Sequence, residues 1–328
     1  MNSWQKELAN GVTSSKALLT RLGLDATELL GVDHTPTFSV RVPQPYITRM
    51  VPGDPYDPLL RQVLAVIDER TLIPGYMADP LDEFDSALPG VLHKYRSRVL
   101  LIYRGGCAIN CRYCFRRHFP YQEQTLTSRD VELLIKYLFE HPEVNEVILS
   151  GGDPLMADDS SIRDLLSRLE SIPTIVRLRI HSRLPVVIPA RVTASLCETI
   201  ASTRLPVVMV LHINHANEVD SSMIGAVGRL RAVCRSVLNQ AVILRGVNDS
   251  AKSLITLSER LFEAGIDPYY LNVLDRVAGA HHFDVNDEEV ATLYQALLNA
   301  LPGYLVPKLV REVPGVGHKM PWRKTARL

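Results

Sequence analysis

The sequence predicts an α/β fold in which parallel strands curl into a full or partial TIM-like βα barrel, preceded by a mostly helical extension. Three observations carry that prediction. From about residue 98 onward, short apolar runs alternate with segments of helical period. Six or more strand–helix units follow one another, and parallel strands joined in series each need a crossover helix. Each run is followed by polar or glycine-rich residues, as in folds that place their chemistry at the carboxyl rim of the strands.

Taken in order, residues 1–97 form the extension, with turn signals such as Val51-Pro52-Gly53-Asp54-Pro55 and Ile73-Pro74-Gly75. The core spans residues 98–311. Its first strand, Val99–Tyr103, runs into Gly105-Gly106-Cys107, and its second, Glu146–Leu149, into Ser150-Gly151-Gly152-Asp153. The third, Val176–Ile180, ends at His181-Ser182-Arg183, and the fourth, Val207–Leu211, at His212-Ile213-Asn214-His215. The fifth is read at Ala241–Leu244 and the sixth at Tyr269–Leu274, the latter running into Asp275. A seventh candidate, Tyr304–Val310, contains Pro307, which suits an edge or a bulge. Between the strands, Val131, Leu134, Ile135 and Leu138 share a helical face behind a Thr127/Asp130 capping box. Leu254, Leu257 and Leu261 repeat that spacing before Gly265, and Val290, Leu293 and Leu297 repeat it behind Asn286 and Glu289. Residues 312–328 form a tail.

Composition narrows the function classes. The 328 residues are 46% hydrophobic and 22% charged, with 36 basic and 36 acidic side chains. A net charge of zero supplies no global field for nucleic acid or an anionic membrane. No apolar run approaches the ~20 residues of a transmembrane helix. The amino terminus has no hydrophobic signal core and carries an early acid, Glu7, so the expected location is cytoplasmic.

Five cysteines argue against an extracellular disulfide framework. Cys197 and Cys234 stand alone in helix-like segments and read as small buried hydrophobes. Cys107, Cys111 and Cys114 instead fall within eight residues, in the loop after the first strand. Three thiolates on a four-iron cluster leave one iron open to a ligand. The competing reading is a Cys₃His zinc site completed by His118.

Cys107-x-x-x-Cys111-x-Tyr113-Cys114 after the first strand resembles the radical S-adenosylmethionine superfamily, and Ser150-Gly151-Gly152-Asp153 resembles its glycine-rich loop. Further stretches resemble one branch, the lysine 2,3-aminomutases: Cys114-Phe115-Arg116-Arg117-His118-Phe119, Arg179-Ile180-His181-Ser182-Arg183-Leu184-Pro185, His212-Ile213-Asn214-His215 and Pro314-Gly315-Val316-Gly317-His318-Lys319. The resemblance runs from about residue 40 to 319. The run Gly105-Gly106-Cys107-Ala108-Ile109-Asn110-Cys111-Arg112-Tyr113-Cys114-Phe115-Arg116-Arg117-His118-Phe119-Pro120-Tyr121 resembles the short form of the family, which implies a β-lysine product that feeds modification of elongation factor P.

That resemblance implies a radical SAM βα barrel and three cofactors: a 4Fe-4S cluster on Cys107, Cys111 and Cys114, S-adenosyl-L-methionine, and pyridoxal 5′-phosphate on Lys319. It puts Gly151, Gly152, Asp153, His212 and Gln240 beside S-adenosyl-L-methionine and Arg98 near pyridoxal phosphate. Arg116 pairs with the substrate α-carboxylate, for which a planar two-donor fork is suited. Asp275 and Glu312 hold the distal ammonium of L-lysine; Glu312 stands where longer relatives have aspartate. Val316 and His318 interrupt the family's run of glycines before Lys319. The longer relatives' carboxy-terminal zinc extension is not expected here.

The implied reaction is an isomerisation of L-lysine to β-lysine, expected as the R enantiomer, which needs an external one-electron reductant. The product would pass to elongation factor P through its lysine ligase. Two alternatives stay open: an aminomutase acting on another amino acid, and a non-catalytic metal-binding scaffold for elongation factor P.

Overall fold

A computed structural model of the chain describes residues 2–25 and 31–322. The end of the predicted tail, residues 323–328, lies outside the described residues. Among the described residues, nine strands form one sheet: β1 (Val91–Tyr95), β2 (Arg98–Arg104), β3 (Glu146–Gly151), β4 (Arg177–Ser182), β5 (Val207–His212), β6 (Ser236–Val242), β7 (Asp267–Asn272), β8 (Lys308–Arg311) and β9 (Met320–Pro321). They lie in chain order, with β1 and β9 at the two ends. The ladders from β2 to β8 are all parallel, and β1 and β9 flank them antiparallel. The result is a partial barrel of seven parallel strands with a short hairpin arm on each side.

The extension contributes α1 (Ser3–Ala9), α2 (Ser15–Arg21) and three single helical turns, joined by turns and irregular chain. The longer barrel helices are α3 (Ser128–Glu140), α4 (Asp159–Glu170), α5 (Ala194–Ala201), α6 (Ser221–Val233), α7 (Ala251–Glu263) and α8 (Asp287–Ala300). Local chemistry sets their ends. Asp130 accepts from Thr127 N at 2.8 Å, Asn286 accepts from Glu288 N and Glu289 N, and the chain turns out of α7 at Gly265 with φ of 78°. Among the described residues, no helix is long and apolar enough to cross a membrane.

One contiguous apolar core joins Trp4, Leu18 and Tyr46 of the extension to Leu101, Leu149, Ile180 and Leu211 of the strands. Cys197 and Cys234 pack partly buried against it.

Three strand assignments shift. The fifth expected strand, Ala241–Leu244, is β6, which begins at Ser236. Its polar Asn239 masked the signal; that side chain is buried and exchanges two hydrogen bonds with the Ile213 backbone, at 2.9 and 3.0 Å. The sixth, read at Tyr269–Leu274, is β7 and begins and ends two residues earlier. The seventh starts only at Lys308, because Gly303–Leu305 forms a 3₁₀ turn and Pro307 has no N–H to give the ladder.

The β8–β9 arm decides where the tail goes. Val310 pairs with Pro321 and Arg311 with Met320, so Glu312 and Lys319 are next in register. The connecting turn closes through Val316 N to Val313 O at 3.2 Å, with Pro314 second and Gly315, at φ of 75°, third. That order suits a type II turn, and the third position favours glycine. Val316 and His318 are therefore accommodated without disturbing it.

Candidate active site

The cysteine loop leaves the carboxyl end of β2 and is held from outside by the extension. Arg112 is fully buried, donating to Glu69 and to the carbonyls of Phe38 and Ser39. Arg117 reaches the same Glu69 carboxylate, Asn110 donates to Ser39, and Arg41 donates to Cys107 O. Charged groups this deeply buried persist only when paired. The arginines interleaved with the cysteines thus anchor the loop.

From inside, the loop rests on the turn after β3. Gly152 N donates to Arg104 O at 2.7 Å and Asp153 N to Gly106 O at 2.9 Å. A Cβ on Gly152 would stand 2.6 Å from Gly106 O, and Gly151 has φ of 107°. In this chain the paired glycines admit the stem of the cysteine loop, a role beyond the expected approach to a cofactor. The Asp153 carboxylate is consumed within the protein. It accepts from Ser182 Oγ, Leu155 N, Arg183 N and Leu184 N at 2.7–3.0 Å, tying the ends of β3 and β4 together.

A cavity of about 190 Å³ opens here, lined by Cys107, Cys111, Cys114, Gly151, Gly152, Asp153, His212 and Gln240. Burial, with Asp153 nearby, raises the Cys107 thiol well above its ordinary value, and burial with Cys111 beside it pushes Cys114 up to about 11. A bound cation would therefore have to supply the charge that keeps these groups as thiolates. Among the described residues, no group of three or more His, Cys, Asp or Glu side chains is arranged to hold a single metal ion. His118 Nε2 instead lies 3.1 Å from Ala278 O. His118 is not among the residues lining this cavity. His212 stacks on Tyr113, with ring centroids 5.6 Å apart; burial and the nearby Arg183 push it down to about 3, so its ring is neutral.

A second cavity of about 460 Å³ adjoins the first and shares Arg116, Gln240, Asp275 and Lys319 with it. Arg98, Glu83 and Glu312 line its remainder, and the Arg98 guanidinium sits 3.9 Å from the centroid of the Tyr95 ring. Arg116 Nε and Nη2 donate to the two Glu83 oxygens at 2.5 and 3.0 Å, and Lys94 completes the cluster at 2.9 Å. Burial alone would raise the Glu83 carboxyl, but these two cations hold it below its ordinary value. Lys319 Nζ donates to Glu312 Oε2 at 2.7 Å, and Tyr95 OH to Glu312 Oε1 at 2.5 Å. Asp275 is pushed up to about 7 by burial, against the pull of Lys319 and with Glu312 adding to the rise.

All thirteen residues singled out in the sequence therefore line one or both of two adjoining cavities at the carboxyl rim. Sequence reasoning missed Glu83, Lys94 and Tyr95. The last two lie on β1, whose antiparallel pairing with β2 carries them into the larger cavity; Glu83 sits in irregular chain and left no signal.

A barrel rim bearing three cysteines beside a glycine turn defines a class of radical enzyme. Residues 101–293 match the Radical SAM superfamily. The chain is 52% identical to L-lysine 2,3-aminomutase of Escherichia coli (strain K12), over 97% of this chain and 94% of that protein. It is 48% identical to the protein of that name in Haemophilus influenzae, and 43% identical to that in Buchnera aphidicola, each over 97% of this chain and 94% of the other. The chain belongs to the lysine 2,3-aminomutase family of radical SAM enzymes and is an isomerase.

Proposed function

We propose that this chain converts L-lysine to (R)-β-lysine, using a 4Fe-4S cluster, S-adenosyl-L-methionine and pyridoxal 5′-phosphate, in the cytoplasm, for β-lysylation of elongation factor P. One observation carries the reading: Arg116, Gln240, Asp275 and Lys319 form a wall common to the cysteine cavity and the acid-lined cavity. A radical generated in the first could act on an amino acid bound in the second.

The donor sets suit the three groups. Three thiols lining one cavity would hold three irons of a four-iron cluster and leave the fourth open to a ligand. The glycine turn and the neutral His212 ring flank the space for S-adenosyl-L-methionine. Lys319, with Arg98 in the same cavity as a cation for a phosphate, suits pyridoxal phosphate. When bound, these cofactors supply the radical that takes hydrogen from the β-carbon and the conjugated ring across which the amino nitrogen migrates.

The protein's own work is orientation. Glu83 occupies the Nε edge of Arg116 and leaves Nη1, with only long contacts to Ser150 Oγ and Gly151 O at 3.2 and 3.4 Å, for the substrate carboxylate. Asp275 and Glu312 supply negative charge for the distal ammonium. The same pair would repel a second carboxylate, which disfavours a glutamate-type substrate.

Anaerobic reconstitution with lysine, S-adenosyl-L-methionine, pyridoxal phosphate and dithionite, followed by chiral chromatography, tests the reaction. β-Lysine of R configuration is expected; cofactor binding without turnover would favour the scaffold. Cys111→Ala should abolish cluster absorbance and iron binding, whereas Cys197→Ala should leave both unchanged. Transfer of the product to elongation factor P by its ligase tests the physiological assignment.

A further inference from the structure

Arg183 follows the last residue of β4 and is buried, 7% exposed. Its guanidinium reaches into the wall behind the cysteine loop. Nη1 lies 2.6 Å from Cys111 Sγ and 2.7 Å from Tyr113 OH. Nη2 lies 2.8 Å from Glu218 Oε2, 2.7 Å from Gln62 Oε1 and 3.2 Å from Tyr46 OH. Glu218 is itself fully buried and fixed by Asn214 N and His215 N at 2.8 and 3.1 Å. The guanidinium is thus bolted on one side to a carboxylate, and its other terminal nitrogen is aimed at a cysteine sulfur. Nothing in the substrate or radical chemistry described above uses it.

We propose that Arg183 is a positioning residue that sets the reduction potential of the cluster, by presenting an N–H donor and a fixed positive charge to the Cys111 ligand sulfur. This rests on the reading that Cys107, Cys111 and Cys114 ligate that cluster. Reduction adds one electron to the cluster from a one-electron donor, and no proton need move. Hydrogen bonds to the sulfurs of iron–sulfur clusters raise their potential, because the donor stabilises the extra negative charge of the reduced form. A cation in a water-poor wall exerts that effect more strongly than one facing solvent. Glu218 lies on the far edge of the guanidinium, so it holds the group in place while leaving the sulfur-facing edge positive.

The experiment is an EPR-monitored redox titration of full-length protein reconstituted anaerobically with iron and sulfide, using dithionite as reductant, with iron content measured alongside. Arg183→Lys keeps the charge and loses the fork. Arg183→Gln combined with Glu218→Gln removes the charge without leaving a buried carboxylate unpaired. The neutral pair should lower the reduced-to-oxidised ratio at fixed ambient potential about tenfold, equivalent to ~59 mV for a one-electron couple. Arg183→Lys should shift it in the same direction by less. An unchanged potential with iron retained overturns the proposal. Should both variants lose the cluster, wild-type protein carrying ¹⁵N-guanidino arginine decides: pulsed EPR of the reduced cluster should detect a ¹⁵N hyperfine coupling, and its absence overturns the proposal. The two readings fail separately. Full iron content in Cys111→Ala would sink the ligand assignment, whereas a cluster lost in Cys111→Ala but unshifted in the Arg183 variants sinks only the role of Arg183.

Discussion

Lys319 and Glu312 face each other across the β8–β9 arm, with Nζ 2.7 Å from Oε2. In the ligand-free protein the carboxylate expected to hold the substrate's distal ammonium already holds the ammonium of the lysine expected to carry pyridoxal phosphate. On that reading one acid would pair with two cations at different stages.

Glu312→Gln tests that pairing. Burial would raise the Glu312 carboxyl, but Lys319 and Tyr95 outweigh it and hold the folded-state value below the ordinary one. A depressed carboxyl contributes stability that is present above its unfolded value and lost as pH falls through the folded one. The variant should lose about 1.5–3 kcal/mol at neutral pH, the typical worth of a hydrogen bond to a charged group. It should also show a shallower loss of stability on acidification, read by denaturant unfolding. Borohydride reduction with pyridoxal phosphate should still label Lys319 and leave the exposed Lys308 unlabelled.

Asp275 predicts a pH dependence of substrate affinity rather than of stability. With its carboxyl at about 7, a large fraction is protonated just below neutrality, and an ammonium substrate must displace that proton. KM for lysine should therefore fall as pH rises through about 7. Asp275→Asn should raise KM at least tenfold and flatten the profile, with iron content and the Lys319 adduct unchanged; a sloping profile in the variant would refute the role.

Glu83→Gln should act through Arg116. The Arg116–Glu83 pair is buried on both sides, and breaking such a pair costs roughly 3–5 kcal/mol. Thermal unfolding should register the loss. KM for lysine should rise, while the affinity for lysinamide, which lacks the carboxylate, should change little.

Gly152→Ala and Gly106→Ala separate steric from chemical demands on the cysteine loop. A Cβ at Gly152 meets the Gly106 backbone at 2.6–2.8 Å, whereas one at Gly106 meets nothing within 4 Å. The first variant should displace the loop and lose most of its iron on reconstitution. The second should retain it, measured by iron content and cluster absorbance.

The strand–helix alternation, the helix caps at Thr127 and Asn286 and the glycine turn before Lys319 were all legible because each depends on residues a few positions apart. The cysteine triad was legible for the same reason: its spacing lies within one loop. The start of β6 was not, because Asn239 reads as polar until the Ile213 backbone satisfies it. The arms β1 and β9 were too short to carry a periodic signal of their own.

The sequence by itself thus determined the parallel α/β framework, the chemistry-bearing rim and the residues that line it. Only the tertiary structure decided how those residues are paired. Glu83 meets Arg116 across 33 positions, Arg183 meets Cys111 across 72, and Glu312 meets Lys319 because a two-residue strand returns the tail to the sheet. Charge pairing depends on distance and burial in space, and a linear pattern encodes neither for partners that separate elements bring together.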